Sequence, residues 1–159
     1  MRKILFPILV LLGFACNNAA ENTTAPDSSD RAETGPSKAE QYFKTHDTAY
    51  LAQDAVFIDM STGEKTEGRQ AIGAMLDHIY HKAFDAHADI QHSYVTDDHA
   101  VLEATFAGKH IGEFAGVAAT NKDVQVPLCV TYDLDNDGLI KEARIYMLTA
   151  VMMQQLQGQ

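Results

Sequence analysis

The chain has 159 residues, 46% of them apolar, which is enough for one domain with an ordinary core and too little for two. Against 12 Lys plus Arg it carries 22 Asp plus Glu, a formal net charge of −10. That balance excludes nucleic acid as a partner and excludes docking on anionic lipid by charge, so any tie to a membrane must be inserted or covalent.

Arg2 and Lys3 precede an apolar run from Ile4 to Phe14, and small Ala15 stands before Cys16, the order of a secretory signal. The run is too short to span a bilayer. A cysteine at the cleavage point, followed by polar residues, resembles the signal of a bacterial lipoprotein, although Gly13 stands where such signals carry an aliphatic residue. The resemblance implies that residues 1–15 are removed and that Cys16 is lipidated. The protein would then be anchored to a membrane of the bacterial cell envelope, on its periplasmic or cell-surface side. A plain signal peptide cleaved nearby, or an uncleaved anchor, is the alternative. Cys129 is then without a disulfide partner and reads as a small buried hydrophobe.

Between Asn17 and Ser37 there is no large apolar residue. Such a run cannot bury enough surface to offset its ordering entropy, so residues 16–37 read as a flexible tether and 38–159 as the folded domain. Tyr42, Phe43, Tyr50 and Leu51 punctuate two short helical segments, with Asp47 as an N-cap. Ala55–Met60 reads as a strand with Phe57 and Asp59 on one face, Asp59 being either the cap of the loop after it or a cavity residue. Gly68-Arg69 opens a helix whose Ile72, Met75, Leu76, Ile79 and Ala83 form a core stripe, with Asp77, His78 and His81 on the far side. The seven histidines do not recur with cysteines or carboxylates at the spacing of a metal motif, so neither a metal nor another cofactor is expected.

Ala88–Thr96 follows as a strand with Ile90, His92 and Tyr94 on one face, turning at Thr96–His99 into a second strand. There Ala100, Leu102, Ala104, Phe106, Gly108 and His110 share a face, so His110 ends an apolar row. It is either a satisfied core residue or a polar group facing a pocket. After a connection, Val124–Leu134 alternates as a half-buried strand with Tyr132 on its apolar face, and Pro127 requires an edge or a bulge. Asp133–Ile140 begins like a calcium-binding EF-hand loop, but Arg144 holds the place of the bidentate glutamate, so Asn136-Asp137-Gly138 reads as a hairpin turn. The last strand, Leu139–Leu148, offers Ile140, Glu142, Arg144 and Tyr146 on one side and Leu139, Ala143, Ile145 and Met147 on the other. The first row is expected to face the cavity and the second to form an outer stripe, most simply a homodimer contact. Helices, then hairpin-linked long strands around one interleaved helix, make an α+β pattern with an antiparallel sheet.

Four segments carry a family resemblance: Glu67-Gly-Arg-Gln-Ala-Ile72, Lys109-His-Ile-Gly-Glu-Phe-Ala-Gly-Val117, Val124-Gln-Val-Pro127 and Asp137-Gly-Leu-Ile-Lys-Glu-Ala-Arg-Ile-Tyr146. From Tyr42 onward the chain resembles the SnoaL-like polyketide cyclase and ester cyclase family, within the nuclear-transport-factor-2-like superfamily. The resemblance implies a cone-shaped, curved antiparallel sheet wrapped on N-terminal helices, its open end a pocket. In polyketide cyclases of that family a pocket aspartate on the last strand is the acid/base for an aldol closure. Its place here falls near Leu148, and no carboxylate occurs between Ala143 and Gln159. His110, Asp59 or Glu142 would have to serve as base instead. The expected pocket residues are His92, Tyr94, Phe106, Tyr132, Glu142, Arg144 and Tyr146. Two functions follow as expectations: binding of a small apolar or amphipathic molecule, or an ester cyclase, isomerase or hydrolase with Tyr146 or Arg144 stabilising an oxyanion. A protein-interaction scaffold is the third.

Overall fold

A computed structural model describes residues 35–158; the reading of residues 1–15, Cys16 and the tether through residue 34 lies outside the described residues. Helix α1 (Lys38–Thr45) starts on a capping box, in which Ser37 and Glu40 satisfy each other's backbone amides. The following 3-10 turn (Thr48–Tyr50) is capped by Asp47, whose carboxylate accepts from the Ala49 amide at 2.9 Å, as its sequence predicts. The chain continues through β1 (Leu51–Asp59), β2 (Lys65–Glu67) and α2 (Arg69–Asp77), which runs on as a π-helix over His78–Ala83. The remaining elements are β3 (Phe84–Val95), β4 (His99–His110), β5 (Asp123–Leu134), β6 (Ile140–Met147) and α3 (Thr149–Gln157).

Six strands form one sheet in the order β2-β1-β6-β5-β4-β3. The fold is therefore α+β with a curved sheet, as expected, except that β1 joins β6 in parallel and makes the sheet mixed. Two apolar clusters fill the inner side. One sets Tyr42 and Phe43 of α1 against Leu51, Phe57, Ile72, Leu102, Tyr132 and Ile140. The other seats Met152 and Leu156 of α3 on Phe84, Phe106, Val124 and Val126. Pro127 sits in β5 one residue beyond Leu128↔Met147, where pairing with β6 begins, so its missing N–H leaves no gap on that side.

Each of two strands carries one extra residue. In β3, Ile90 pairs with Ala104 and His92 with Glu103, leaving Gln91 as a bulge. In β6, Ile140 pairs with Leu134 and Glu142 with Asp133, leaving Lys141 as a bulge. A bulge reverses which alternate residues face the helices. Downstream of Lys141 it is Ala143, Ile145 and Met147 that point inward, and the expected assignment of the two faces of β6 is inverted. The row on which a homodimer contact was expected is thus an interior row.

Beyond β4 the chain crosses closely over the end of the π-helix. The amides of Ile111 and Gly112 both donate to the Ala83 carbonyl at 2.9 Å. A Cβ at Gly112 would overlap the Lys82 carbonyl, so only glycine fits there.

Candidate functional site

Between the inner sheet face and the helices lies a cavity of about 500 Å³. Its sheet side is Leu102 and Phe106 from β4, Leu128, Val130 and Tyr132 from β5, and Ile145 and Met147 from β6. Its helical side is Tyr42 and His46 from α1 and its C-cap, with Leu76, Ile79 and Tyr80 from α2 and the π-helix. Phe114 and Ala115, from the loop after β4, complete the wall.

Three polar aromatic side chains reach this space without a protein partner. Tyr42, Tyr80 and Tyr132 are 2%, 8% and 5% exposed, yet among the described residues none of their hydroxyls takes part in a hydrogen bond. The His46 imidazole, likewise unpartnered, lies 4.5 Å from the Tyr80 ring and 5.6 Å from the Tyr42 ring, centroid to centroid. Tyr42 and Tyr132 meet edge to face at 6.1 Å. Burial raises all three phenols, Tyr80 to about 12, so each keeps its proton and can donate it to a bound oxygen. Burial, with His81 nearby, holds His46 below the ordinary histidine range, so at neutral pH its ring carries a free lone pair. Charged side chains on the wall are carboxylates, Asp59 and Glu64; no lysine or arginine lines it among the described residues.

The expected site residues divide sharply. Phe106 and Tyr132 are on the cavity wall. So is Asp59, which also caps its loop by accepting from the amide and hydroxyl of Ser61 at 2.7 and 2.6 Å, so both readings of it hold. His110 is fully buried but lies in the packing beside the cavity, with its ring 5.0 Å from that of Phe84. The Thr120 amide donates to its Nδ1 at 3.2 Å, which leaves Nε2 to carry the proton with no acceptor among the described residues. That is a structural role, and His110 does not face the cavity as a catalytic base.

Five other residues point away. Downstream of the Gln91 bulge, His92 and Tyr94 lie on the outer sheet face with their rings stacked at 6.5 Å, and Tyr94 is 61% exposed. Downstream of the Lys141 bulge, Glu142, Arg144 and Tyr146 lie on that face too. There Arg144 pairs with Glu142 and with Asp133 at 3.1 Å, holding the Asp133 carboxyl below the usual range. Cys129 is half-buried on the same outer face, beside Tyr146 and Glu103, and is not the fully buried hydrophobe expected. Tyr42, His46 and Tyr80 went unrecognised in the sequence. The signal was present: Tyr42 and His46 are four apart on one helix, and Tyr80 is four beyond Leu76 on the predicted stripe. The stripe's polar side was also misplaced at one point, since His78 lines the cavity.

A curved sheet closed over helices around an aromatic-walled cavity defines a cone-type α+β domain. Residues 39–156 match the SnoaL-like polyketide cyclase family, and the chain belongs to that family. Among solved structures, a protein of Shewanella denitrificans provisionally assigned as a SnoaL-like polyketide cyclase is 25% identical, with a TM-score of 0.63 over 75% of this chain and 91% of that one. Another with the same provisional assignment, from Jannaschia sp. CCS1, is 19% identical, with a TM-score of 0.68 over 80% and 99%. A Catenulispora acidiphila protein with a ketosteroid isomerase-like fold, in complex with trimethylamine, is 20% identical, with a TM-score of 0.57 over 77% and 94%. No curated protein matches the chain significantly.

Proposed function

We propose that the protein is a lipid-anchored domain of the bacterial cell envelope that binds a small, largely apolar, uncharged molecule in its cavity. The observation that carries this reading is the polarity of the wall. Aliphatic and aromatic side chains supply most of it, and the tyrosine hydroxyls and the His46 imidazole are left for a ligand to satisfy. These groups open onto the cavity rather than being sealed in the core, so a ligand oxygen can meet them directly. An anionic ligand would find carboxylates and no cation. The family's acid/base carboxylate has no counterpart at the end of β6, where the wall is Ile145, Met147 and Thr149, so cyclase activity does not carry over by position. The anchor rests on the Cys16 signal, and a homodimer contact is proposed on the outer sheet face with exposed Tyr94, Tyr146 and Leu148.

The test uses neighbouring residues of one strand. In the full chain, reconstituted in lipid nanodiscs with empty nanodiscs subtracted, Met147→Trp fills the cavity and should weaken binding of 2-naphthol at least about tenfold, a loss of 1.4 kcal/mol. Tyr146→Ala, on the opposite face, should leave it within about twofold, about 0.4 kcal/mol by the same relation. Equal affinity for Met147→Trp and wild type overturns the proposal.

A further inference from the structure

Three residues that line the cavity are also exposed to solvent, Glu64, His78 and Ala115, and they mark its mouth. Each belongs to a different part of the fold. Glu64 lies on the loop between β1 and β2, which is closed by the Asp59 amide on the Glu64 carbonyl and by the Gly63 amide on the Asp59 carbonyl. His78 opens the π-helix, which is held to the core by buried Tyr80 and Ala83. Ala115 stands at the tip of the strap that joins β4 to β5, and the strap is fixed at both ends but loose between them. At its start the Ile111 and Gly112 amides hold the Ala83 carbonyl. At its end the Asn121 amide bonds the His110 carbonyl, and the Thr120 amide donates to the His110 ring at 3.2 Å. Residues 113–119, by contrast, hydrogen-bond only to one another. Phe114 and Val117 exchange both backbone bonds, at 3.0 and 2.9 Å, and the Glu113 carboxylate accepts from the Gly116 amide at 2.6 Å. Of these residues Phe114 alone packs on a core cluster, its ring edge-on to Phe84 at 5.1 Å. Ala115 holds φ 50, a left-handed conformation that strains any residue with a Cβ, and such strain gathers at ligand clamps and switch segments.

We propose that residues 113–119 are the gate of the cavity, a regulation of access that rests on the small-molecule reading above. They swing as one unit between their fixed ends, lifting Phe114 off Phe84 to admit a molecule and setting it back to close the mouth. The tip keeps its own turn throughout, because its hydrogen bonds are internal. Opening therefore breaks one aromatic contact and no backbone bond to the rest of the domain. The other two lips are bonded into the body and stay where they are. A motion resisted by a single side-chain contact belongs with loop closures that take on the order of microseconds to milliseconds. The face that the gate turns to an entering molecule is the Phe114 ring, which suits an uncharged, apolar one.

The test is kinetic. With the full chain in nanodiscs, stopped-flow fluorescence gives the association and dissociation rates of 2-naphthol. Phe114→Leu keeps the wall apolar and removes the ring contact. Both rates should then rise about fivefold, or about 0.95 kcal/mol, within what one aromatic pair contributes. Their ratio should hold within about twofold. Ile79→Ala, on the wall formed by the π-helix, should raise dissociation alone. If Phe114→Leu raises only dissociation, or changes neither rate, Phe114 is plain wall; the gate is overturned and the binding reading stands. A second measurement needs no ligand. In a Cys129→Ser background, Val130→Cys places a thiol on the cavity wall, and N-phenylmaleimide should label it about fivefold faster once Phe114→Leu is added. Labelling at equal rates overturns the gate. Failure of the wild type to bind 2-naphthol overturns the binding reading, and the labelling rates then decide the gate by themselves.

Discussion

At the scale of single residues, the site is defined by partners that are missing. A buried tyrosine ordinarily finds a hydrogen-bond partner, and here the hydroxyls of Tyr42 and Tyr80 on the helical side and of Tyr132 on the sheet side open onto the cavity instead. His110, the residue the sequence singles out, is by contrast committed to Thr120 and packed against Phe84. The alternation of β4 correctly predicts that His110 ends an apolar row, but an apolar row continues past the cavity into solid core, and alternation cannot mark where one becomes the other. His46 also gives a pH dependence. Its burial and the nearby His81 favour the neutral ring in the folded state. The unfolded chain is then the better proton acceptor, so the stability His46 contributes is complete above about pH 6.5 and is lost as pH falls toward the lower folded value. Denaturant midpoints should therefore fall between about pH 7.5 and 5.5 in wild type and fall less in His46→Gln over the same window. A steeper fall in the variant would contradict the shift.

At the scale of elements, two bulges explain why His92, Tyr94, Glu142, Arg144 and Tyr146 point away from the cavity. Ile140 does face inward, at 0% exposure, and so do Ala86 and Ala88 earlier in β3, so reading each strand from its start gives the right face there. One extra residue at Gln91 and one at Lys141 then reverse the phase. Nothing in Gln91 or Lys141 marks them, because a bulge is set by the pairing strand and not by the bulged residue alone. The Lys141 side chain is exposed, so Lys141→Ala should change stability by no more than about 0.5 kcal/mol. Deleting Lys141 should instead turn Glu142 and Arg144 toward Leu102 and Phe57 and expel Ile145 and Met147. A buried, unpaired charge costs several kcal/mol, enough to remove the cooperative unfolding transition seen by far-UV circular dichroism. A deletion variant that melts like wild type would show that the strand can slip without penalty.

At the scale of the molecule, fold class and family were legible because they rest on many residues at once: long alternating strands, one periodic helix and four family-like segments. The cavity was legible as a consequence of the family, while its polar wall was not. That wall draws on α1, the π-helix and β5, far apart in sequence, and only the closed structure brings them together. The proposed anchoring is a property of the whole chain as well. Expressed in bacteria, the full chain should partition into the detergent phase of a Triton X-114 separation, and Cys16→Ser should move it to the aqueous phase; equal partitioning would remove the lipid from the proposal.

The left-handed end of α1 has a consequence for how this domain can change. That position is where helices are most often sealed by glycine, which adopts positive φ freely, while any residue with a Cβ meets its own backbone there at a cost of about 1–2 kcal/mol. Histidine therefore sits at a spot where drift toward a sturdier protein would run through the loss of the ring that faces the cavity. Rigidity and chemistry pull against each other at this single joint, and a screen for heat resistance alone would be expected to erase the imidazole first.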